Sequence, residues 1–363
     1  MLCRWLLAAA FGLGAWLPAA RPADAIPVFA HRYGLTCEAC HTAVPHLTAF
    51  GEAFRSAGYR MPGRAGGGAF PVAIKVNLQY AGEASEGLPK AVVDEVEALA
   101  GGRIGSRGSY FAEQYVVDGG RAGRTRDLWA ALRVTPDGAR TPVSLRAGQF
   151  GLELPLEPET FRETTDHYAI WDQTAGDNPF SFFAPKMGLA TSIGSDEHGF
   201  SGTVAALQAH DPGSGLPSGG IDRYAYAQLA REDLVLSAYR IDGARPLPAG
   251  ADRFWREGYG AGWTRGRVRF DAVYQHGYDT RASADGPLRT SGGFLQARYE
   301  LAQGAFLVAR YDGTQDARTS RALIAGGGYR VARNARFTVF DTLHRDEAHA
   351  RVHSLSTALL FAF

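Results

Sequence analysis

From Phe70 to the last residue the sequence keeps returning to a period of two. Ile74, Val76, Leu78 and Tyr80 alternate with Lys75, Asn77 and Gln79. Val268, Phe270, Ala272 and Tyr274 alternate with Arg269, Asp271 and Gln275, with Val273 as the one interruption. Leu295, Ala297, Tyr299 and Leu301 alternate with Gln296, Arg298 and Glu300. Successive side chains of a strand point to opposite faces, so such runs carry one apolar and one charged face. A water-soluble sandwich alternates too, and the period alone leaves both architectures open.

Three further features choose between them. About sixteen such runs fit between Phe70 and Phe363, each near the roughly 9–11 residues that a tilted membrane strand needs. The connections alternate in length: short turns at 135–138, 195–198, 231–233, 264–267, 303–304 and 333–334, and longer polar loops at 159–186, 211–222, 242–252, 280–287 and 313–320. Short turns on one rim and long loops on the other belong to an outer-membrane barrel. The chain also closes on Leu355 to Phe363, an alternating run with a terminal aromatic, which resembles the assembly signal of bacterial outer-membrane proteins. The expected fold is all-β, a transmembrane barrel of about sixteen strands. Outer-membrane lipid is then an expected partner.

The ends of the chain place that barrel. Residues 1–25 read as a secretory signal: Arg4, the apolar stretch Leu6 to Trp16, and the small-residue site Ala23-Asp24-Ala25. The expected division is 1–25 leader, 26–66 a small helical segment, and 67–363 the barrel, with a glycine-rich linker at 63–68. The 38 basic and 37 acidic residues nearly cancel, so nothing recommends nucleic acid as a partner.

The chemistry sits in the small segment, at Cys37-Glu38-Ala39-Cys40-His41. Two thiols at this spacing can add across the vinyl groups of one haem, and the adjacent imidazole can ligate its iron. A redox dithiol would open a helix in a βαβ setting, which is absent here. Structural zinc would need further ligands, and Cys3 leaves with the leader. A disulfide between the two would close a very short loop and staple little. One covalently attached haem c is therefore the expected cofactor, and electron transfer the expected chemistry.

Leu47, Phe50 and Phe54 form one stripe of a helix expected over 46–56, with Gly58 to end it. Phe50 and Phe54 are expected to pack on the haem. About forty residues cannot bury a porphyrin alone, and a sixteen-stranded barrel has a lumen to fill. The economical arrangement puts the segment inside the barrel, entering from the periplasmic side. His41 is the expected proximal ligand. On the other face Met61 is the first candidate, His46 the second and His31 a weaker third, and an open position is also allowed.

Lys75, Arg269, Asp271, Arg298, Glu300, Arg310 and Asp312 are expected on the inner wall. Two carboxylate and imidazole clusters are expected in external loops: Asp166, His167, Asp172 and Asp177, and Asp341, His344, Asp346, Glu347 and His349. Each is read first as solvated loop charge and second as a docking site for a metal ion.

The segment F-A-H-R-Y-G-L-T-C at 29–37, with Cys40-His41, Pro45, Leu47, Phe50-Gly51, Phe54 and Gly58-Tyr59, resembles the fused monohaem cytochrome–porin family of the bacterial outer membrane, whose best-known members oxidise iron. The likeness is sharp over about residues 27–62 and only architectural over the barrel. It implies a haem plug that takes an electron from an extracellular donor, often Fe(II), and passes it to a periplasmic carrier. A passive porin with a structural or sensory haem segment, and a soluble periplasmic cytochrome with a β domain, are the alternatives.

Overall fold

The computed structural model describes residues 28–43, 46–61, 72–83, 90–136, 139–157, 160–164, 167–195, 199–210, 217–247, 250–283, 286–302, 304–316, 319–346 and 349–362. The expected leader and linker, Asp166 and Glu347 lie outside them, as does the side chain of His31.

Before the barrel come α1 (Val28–Tyr33), the single turn α2 (Cys37–Cys40), a small pair β1 (His41–Ala43) and β2 (His46–Leu47), and α3 (Ala49–Ser56). The first half of the barrel is β3 (Val72–Glu83), β4 (Lys90–Ile104), β5 (Gly108–Asp118), β6 (Arg121–Ala122), β7 (Thr125–Arg133), β8 (Val143–Phe150), β9 (Lys186–Ser195) and β10 (Phe200–His210). The second half is β11 (Pro217–Arg231), β12 (Leu234–Leu247), β13 (Gly250–Arg265), β14 (Val268–Ser283), β15 (Gly286–Ala302), β16 (Ala305–Gln315), β17 (Thr319–Ala332), β18 (Ala335–Asp346) and β19 (His349–Ala362). All neighbours are antiparallel. The last strand pairs with the first, Leu359 opposite Leu78 and Phe361 opposite Val76, so the sheet is closed. β6 is a two-residue stub that continues β7 along the edge of β5, which leaves sixteen full strands, as expected.

Burial runs inside out along each strand. On β16, Leu307 and Tyr311 are 49% and 44% exposed, whereas Arg310 and Asp312 are 1% and 3% exposed. A wall with hydrocarbon outside and polar contents inside requires that inversion. Lys75, Asp271 and Arg298 are likewise buried on the inner face, as the alternation predicts.

Two expectations are corrected. The regions 242–252, 280–287 and 313–320 are not loops: β12 runs to Leu247 and β13 restarts at Gly250, β14 and β15 are separated only by 284–285, and β16 and β17 only by 316–318. Strands reach 17 residues in β15, so the barrel wall rises higher than a 9–11-residue strand allows. The cluster around Asp341 is not a loop either: Asp346 pairs with His349, and Asp341 projects outward from β18, 3.9 Å from His353.

The second correction concerns 159–186, expected as an external loop: the described residues of the connection between β8 and β9, 151–185, are folded into the lumen. It carries α4 (Ala169–Asp172), and Trp171, Tyr168, Ile170, Phe180 and Phe182 are all 3% exposed or less. The inward charges of the wall need partners once water is displaced, and this segment supplies them. Arg298 Nε donates to Glu163 Oε1 at 2.5 Å, Arg310 Nη1 to Thr164 Oγ1 at 2.7 Å, and Arg310 Nη2 to the His167 carbonyl at 2.8 Å. Arg162 Nη2 forks onto both Glu95 oxygens at 2.9 and 3.0 Å. The Asn178 amide donates to Asp252 and Asp279, each at 2.9 Å.

Candidate haem-attachment site

The attachment turn is built by its neighbours in sequence. Thr36 is extended before α2, and His41 leaves the turn at φ −128°, its backbone N–H bonded to the Cys37 carbonyl. The Thr48 hydroxyl donates to the Ala39 carbonyl at 2.8 Å and accepts from Gly51 N at 3.1 Å, while Thr48 N donates to the Cys40 carbonyl at 2.8 Å. One residue therefore caps α3 and ties it to the cysteine turn. A Cβ on Gly51 would stand 2.3 Å from the Cys40 carbonyl oxygen, so only glycine lets α3 lie this close. The helix starts at Ala49 rather than at 46, because His46 and Leu47 are extended and paired with His41–Ala43.

Past α3 the chain reverses through two successive left-handed residues, Gly58 (φ 68°) and Tyr59 (φ 59°). That conformation costs a non-glycine residue roughly 1–3 kcal/mol. The return comes from packing: the Tyr59 ring lies between Phe29 at 4.7 Å and Phe111 at 4.8 Å, with Trp129 at 6.2 Å. Phe111 and Trp129 are inward-facing residues of β5 and β7, and Arg60 Nη2 donates to the Ser106 carbonyl, in the β4–β5 turn, at 2.5 Å. Residues 28–61 thus pack against the inner wall near the rim of short turns.

Cys37, Cys40 and His41 line one cavity of about 720 Å³, within the roughly 300–1,000 Å³ of cofactor pockets. Trp129, Leu154 and Leu156 form part of its apolar far wall, and Arg55, Arg146 and Arg269 also reach it. Gly194, Glu232 and Ala362 place it at the short-turn end of the barrel, with the inturned 151–161 backbone above. Cys37 is buried and Cys40 half-buried, the two are not joined in a disulfide, and burial pushes both thiols above the usual range. This set suits a c-type haem: two thiols and an imidazole on one side, apolar walls for the ring, and guanidinium groups for its carboxylates. Among the described residues, no group of three or more His, Cys, Asp or Glu is arranged to hold a bare metal ion.

The other candidates are placed differently. Phe54 is buried and lines the cavity, whereas Phe50, its ring stacked at 6.4 Å on Phe54, is 44% exposed and outside the lining. Met61 is half-buried and His46 is buried, and neither lines the cavity. His46 Nδ1 is 2.9 Å from Thr42 Oγ1, its ring meets Phe161 edge-on at 5.2 Å, and its Nε2 points towards Glu163. Burial first, and then Arg298, Arg269 and Arg336, hold the His46 imidazole well below its usual range. Burial raises the Glu163 carboxyl, and Arg298 works against that rise.

In the inturned segment His167 Nδ1 is 3.4 Å from Asp172 Oδ2, both partly exposed, and Asp177 N donates to the Ala282 carbonyl. Thr48, Tyr59, Trp129 and Glu163 escaped the sequence reading as site residues. A Thr three residues before Gly51 at a helix start was the available signal for the first; the other three depend on which wall faces which segment.

Comparison with protein-family profiles and with characterised proteins finds no match. Solved structures do match. The anion-selective porin from Comamonas acidovorans aligns with a TM-score of 0.63 at 10% identity, over 80% of this chain and 98% of that one. Salmonella typhi OmpF, in complex with daunomycin, aligns with a TM-score of 0.60 at 13% identity, over 80% and 97%. The channel DcaP of Acinetobacter baumannii aligns at 0.58 and 9% identity, over 81% and 96%. The chain therefore has the fold of the outer-membrane porins.

Proposed function

We propose that this protein is an outer-membrane electron conduit: a porin-fold barrel whose amino-terminal segment carries one covalent haem c. It passes electrons between an extracellular donor, with Fe(II) as the first to test, and a soluble carrier on the periplasmic side. One observation carries the reading: Cys37, Cys40 and His41, adjacent in sequence, all face one largely apolar cavity that the segment and the barrel wall make together. Cys37 and Cys40 would hold the group by thioether bonds and His41 would ligate its iron. When bound, the haem supplies a one-electron couple. The chain's own residues fix the segment's position through Tyr59, Arg60 and Thr48. The resemblance of residues 27–62 to the cytochrome–porins points the same way.

A second reading has its own support. The structural likeness is to porins, so a barrel in which the segment is a structural or sensory plug stands as the rival. The inturned 151–185 segment, with Trp171 fully buried across the lumen, favours an occluded barrel over an open pore.

The test uses detergent-purified protein from a host able to mature c-type cytochromes. A covalent haem spectrum that is reduced on anoxic mixing with Fe(II) supports the conduit. A covalent spectrum that dithionite reduces and Fe(II) does not moves the donor elsewhere. Absence of covalent haem, with ion conductance in planar bilayers, replaces the conduit with a porin.

A further inference from the structure

Charge is distributed unevenly in the sequence of the short turns. The connection between β13 and β14 carries Arg265 and Arg267, that between β17 and β18 is flanked by Arg330 and Arg333, and that between β4 and β5 by Arg103 and Arg107. In barrel order these three turns fall in one continuous arc, separated only by the 303–304 turn and the β19–β3 seam. The carboxylates here are already engaged: Glu38 lies 3.8 Å from Arg330 Nη1 and from Arg333 Nε, and Glu300 takes 2.5 Å hydrogen bonding from Arg298. The sequence of the opposite connections is acidic, with Asp137, Asp196-Glu197 and Glu232-Asp233 against Arg133, Arg140 and Arg231; of these, 137, 196 and 197 lie outside the described residues.

The basic arc adjoins the attachment turn. Glu38 is the residue after Cys37, and its contacts to Arg330 and Arg333 put the cysteine turn beside these guanidinium groups. The side chain of Arg333 is 72% exposed. Anionic lipid would surround the whole rim and would favour a basic ring; half a ring does not match it. Arg330 and Arg103 moreover lie in phase with the inward-facing Ile324 and Glu97, towards the lumen mouth rather than towards lipid.

We infer that this arc is the docking surface for a soluble redox protein that presents an acidic patch, seated across the short-turn mouth beside Cys37. The inference rests on the electron-conduit reading. Opposite potentials steer encounter and set register more than they add affinity, which suits a carrier that must leave after each electron.

The experiment uses the full haem-loaded chain in detergent, with barrel folding checked by heat-modifiable gel mobility. Binding of poly-L-glutamate and of poly-L-lysine is measured first, without any redox step. Next, the ferrous protein is oxidised by hexacyanoferrate(III) or by tris(phenanthroline)cobalt(III). Each takes one electron, leaving ferric haem and hexacyanoferrate(II) or the cobalt(II) complex. The expected results are that poly-L-glutamate binds and that the anionic oxidant is faster at low salt. Added salt should erode that advantage, and the triple variant Arg265→Glu, Arg267→Glu, Arg333→Glu should reduce it about tenfold or more, the scale of electrostatic steering. The control pair Arg140→Glu, Arg231→Glu, on the acidic arc, should leave both readouts unchanged. Equal rates and equal salt dependence for the two oxidants, with covalent haem present, overturn the docking surface and leave the conduit standing. So does a triple variant whose only change is weaker insertion into phosphatidylglycerol bilayers, which makes the arc a lipid contact. Absence of covalent haem sinks the underlying reading instead.

Discussion

His46 Nε2 stands 3.9 Å from Glu163 Oε1, and at this pair the segment before the barrel meets the segment folded down into it. Burial keeps the imidazole neutral, and the arginines around Glu163 reinforce that. The same burial raises the Glu163 carboxyl, and Arg298, 2.5 Å away, partly offsets that rise.

A pH dependence follows from His46. An unfolded histidine takes up its proton near about pH 6.5, whereas His46 resists until the pH is lower. Above about 6.5 both states are neutral and the contact contributes in full. Below it the undocked state binds more protons, and docking weakens. Glu163 acts in the opposite sense, since its raised pKa penalises rising pH. Protease protection of residues 28–61 should therefore fall between pH 7.5 and 5, and His46→Asn should abolish or reverse the trend. An unchanged trend in the variant would assign the acid sensitivity elsewhere.

Tyr59 is the second anchor. Tyr59→Ala removes a ring packed against Phe29 and Phe111 yet keeps the left-handed backbone, and should cost about 3–5 kcal/mol of docking. Tyr59→Phe keeps the stack and should cost under about 1.5 kcal/mol. Proteolytic release of the segment from an intact barrel measures both.

Asn178 holds the inturned segment by donating to two fully buried carboxylates. Asn178→Ala should weaken that hold by about 3–6 kcal/mol, taking the two hydrogen bonds to charged groups at roughly 1.5–3 each. Single-channel recordings in planar bilayers should then show brief openings that the unaltered protein lacks. A silent Asn178→Ala barrel would place the occlusion in the amino-terminal segment.

Gly51 tests the attachment turn. Gly51→Ala drives a Cβ against the Cys40 carbonyl at 2.3 Å, and α3 must move off the turn. The haem-to-protein ratio from a maturation host should drop several-fold, while barrel yield holds. Thr48→Val should do the same more mildly, at about 1–2 kcal/mol for a lost cap.

Much of this architecture was legible because a lipid-facing strand needs alternation, and Lys75, Asp271, Arg298, Arg310 and Asp312 all lie where the period of two puts them. The strand tops were not legible. Where β12 and β13 rise past the apolar belt, outward positions become Arg240, Asp242 and Glu257, so the apolar outer face is lost and the strand reads as loop. The inturned segment was misplaced because its average polarity hides Tyr168-Ala169-Ile170-Trp171 and Phe180 to Phe183, aromatic groups that belong to a core. At the site, Cys37, Cys40 and His41 share one cavity because the motif fixes their spacing. His46 is aimed by tertiary contacts that no spacing encodes, and neither it nor Met61 lines the cavity.

The pairing of β19 with β3 sets an order of events. Residues 28–61 lie ahead of β3 and pack inside the wall that β19 completes, so the barrel must shut around them or receive them through the short-turn mouth. Once it has shut, Cys37 and Cys40 face a chamber walled by Trp129, Leu154 and Leu156, out of reach of any enzyme large enough to attach a haem. The proposed haem would then have to be attached before the segment is seated, whether the barrel shuts around a loaded segment or takes one in through its mouth.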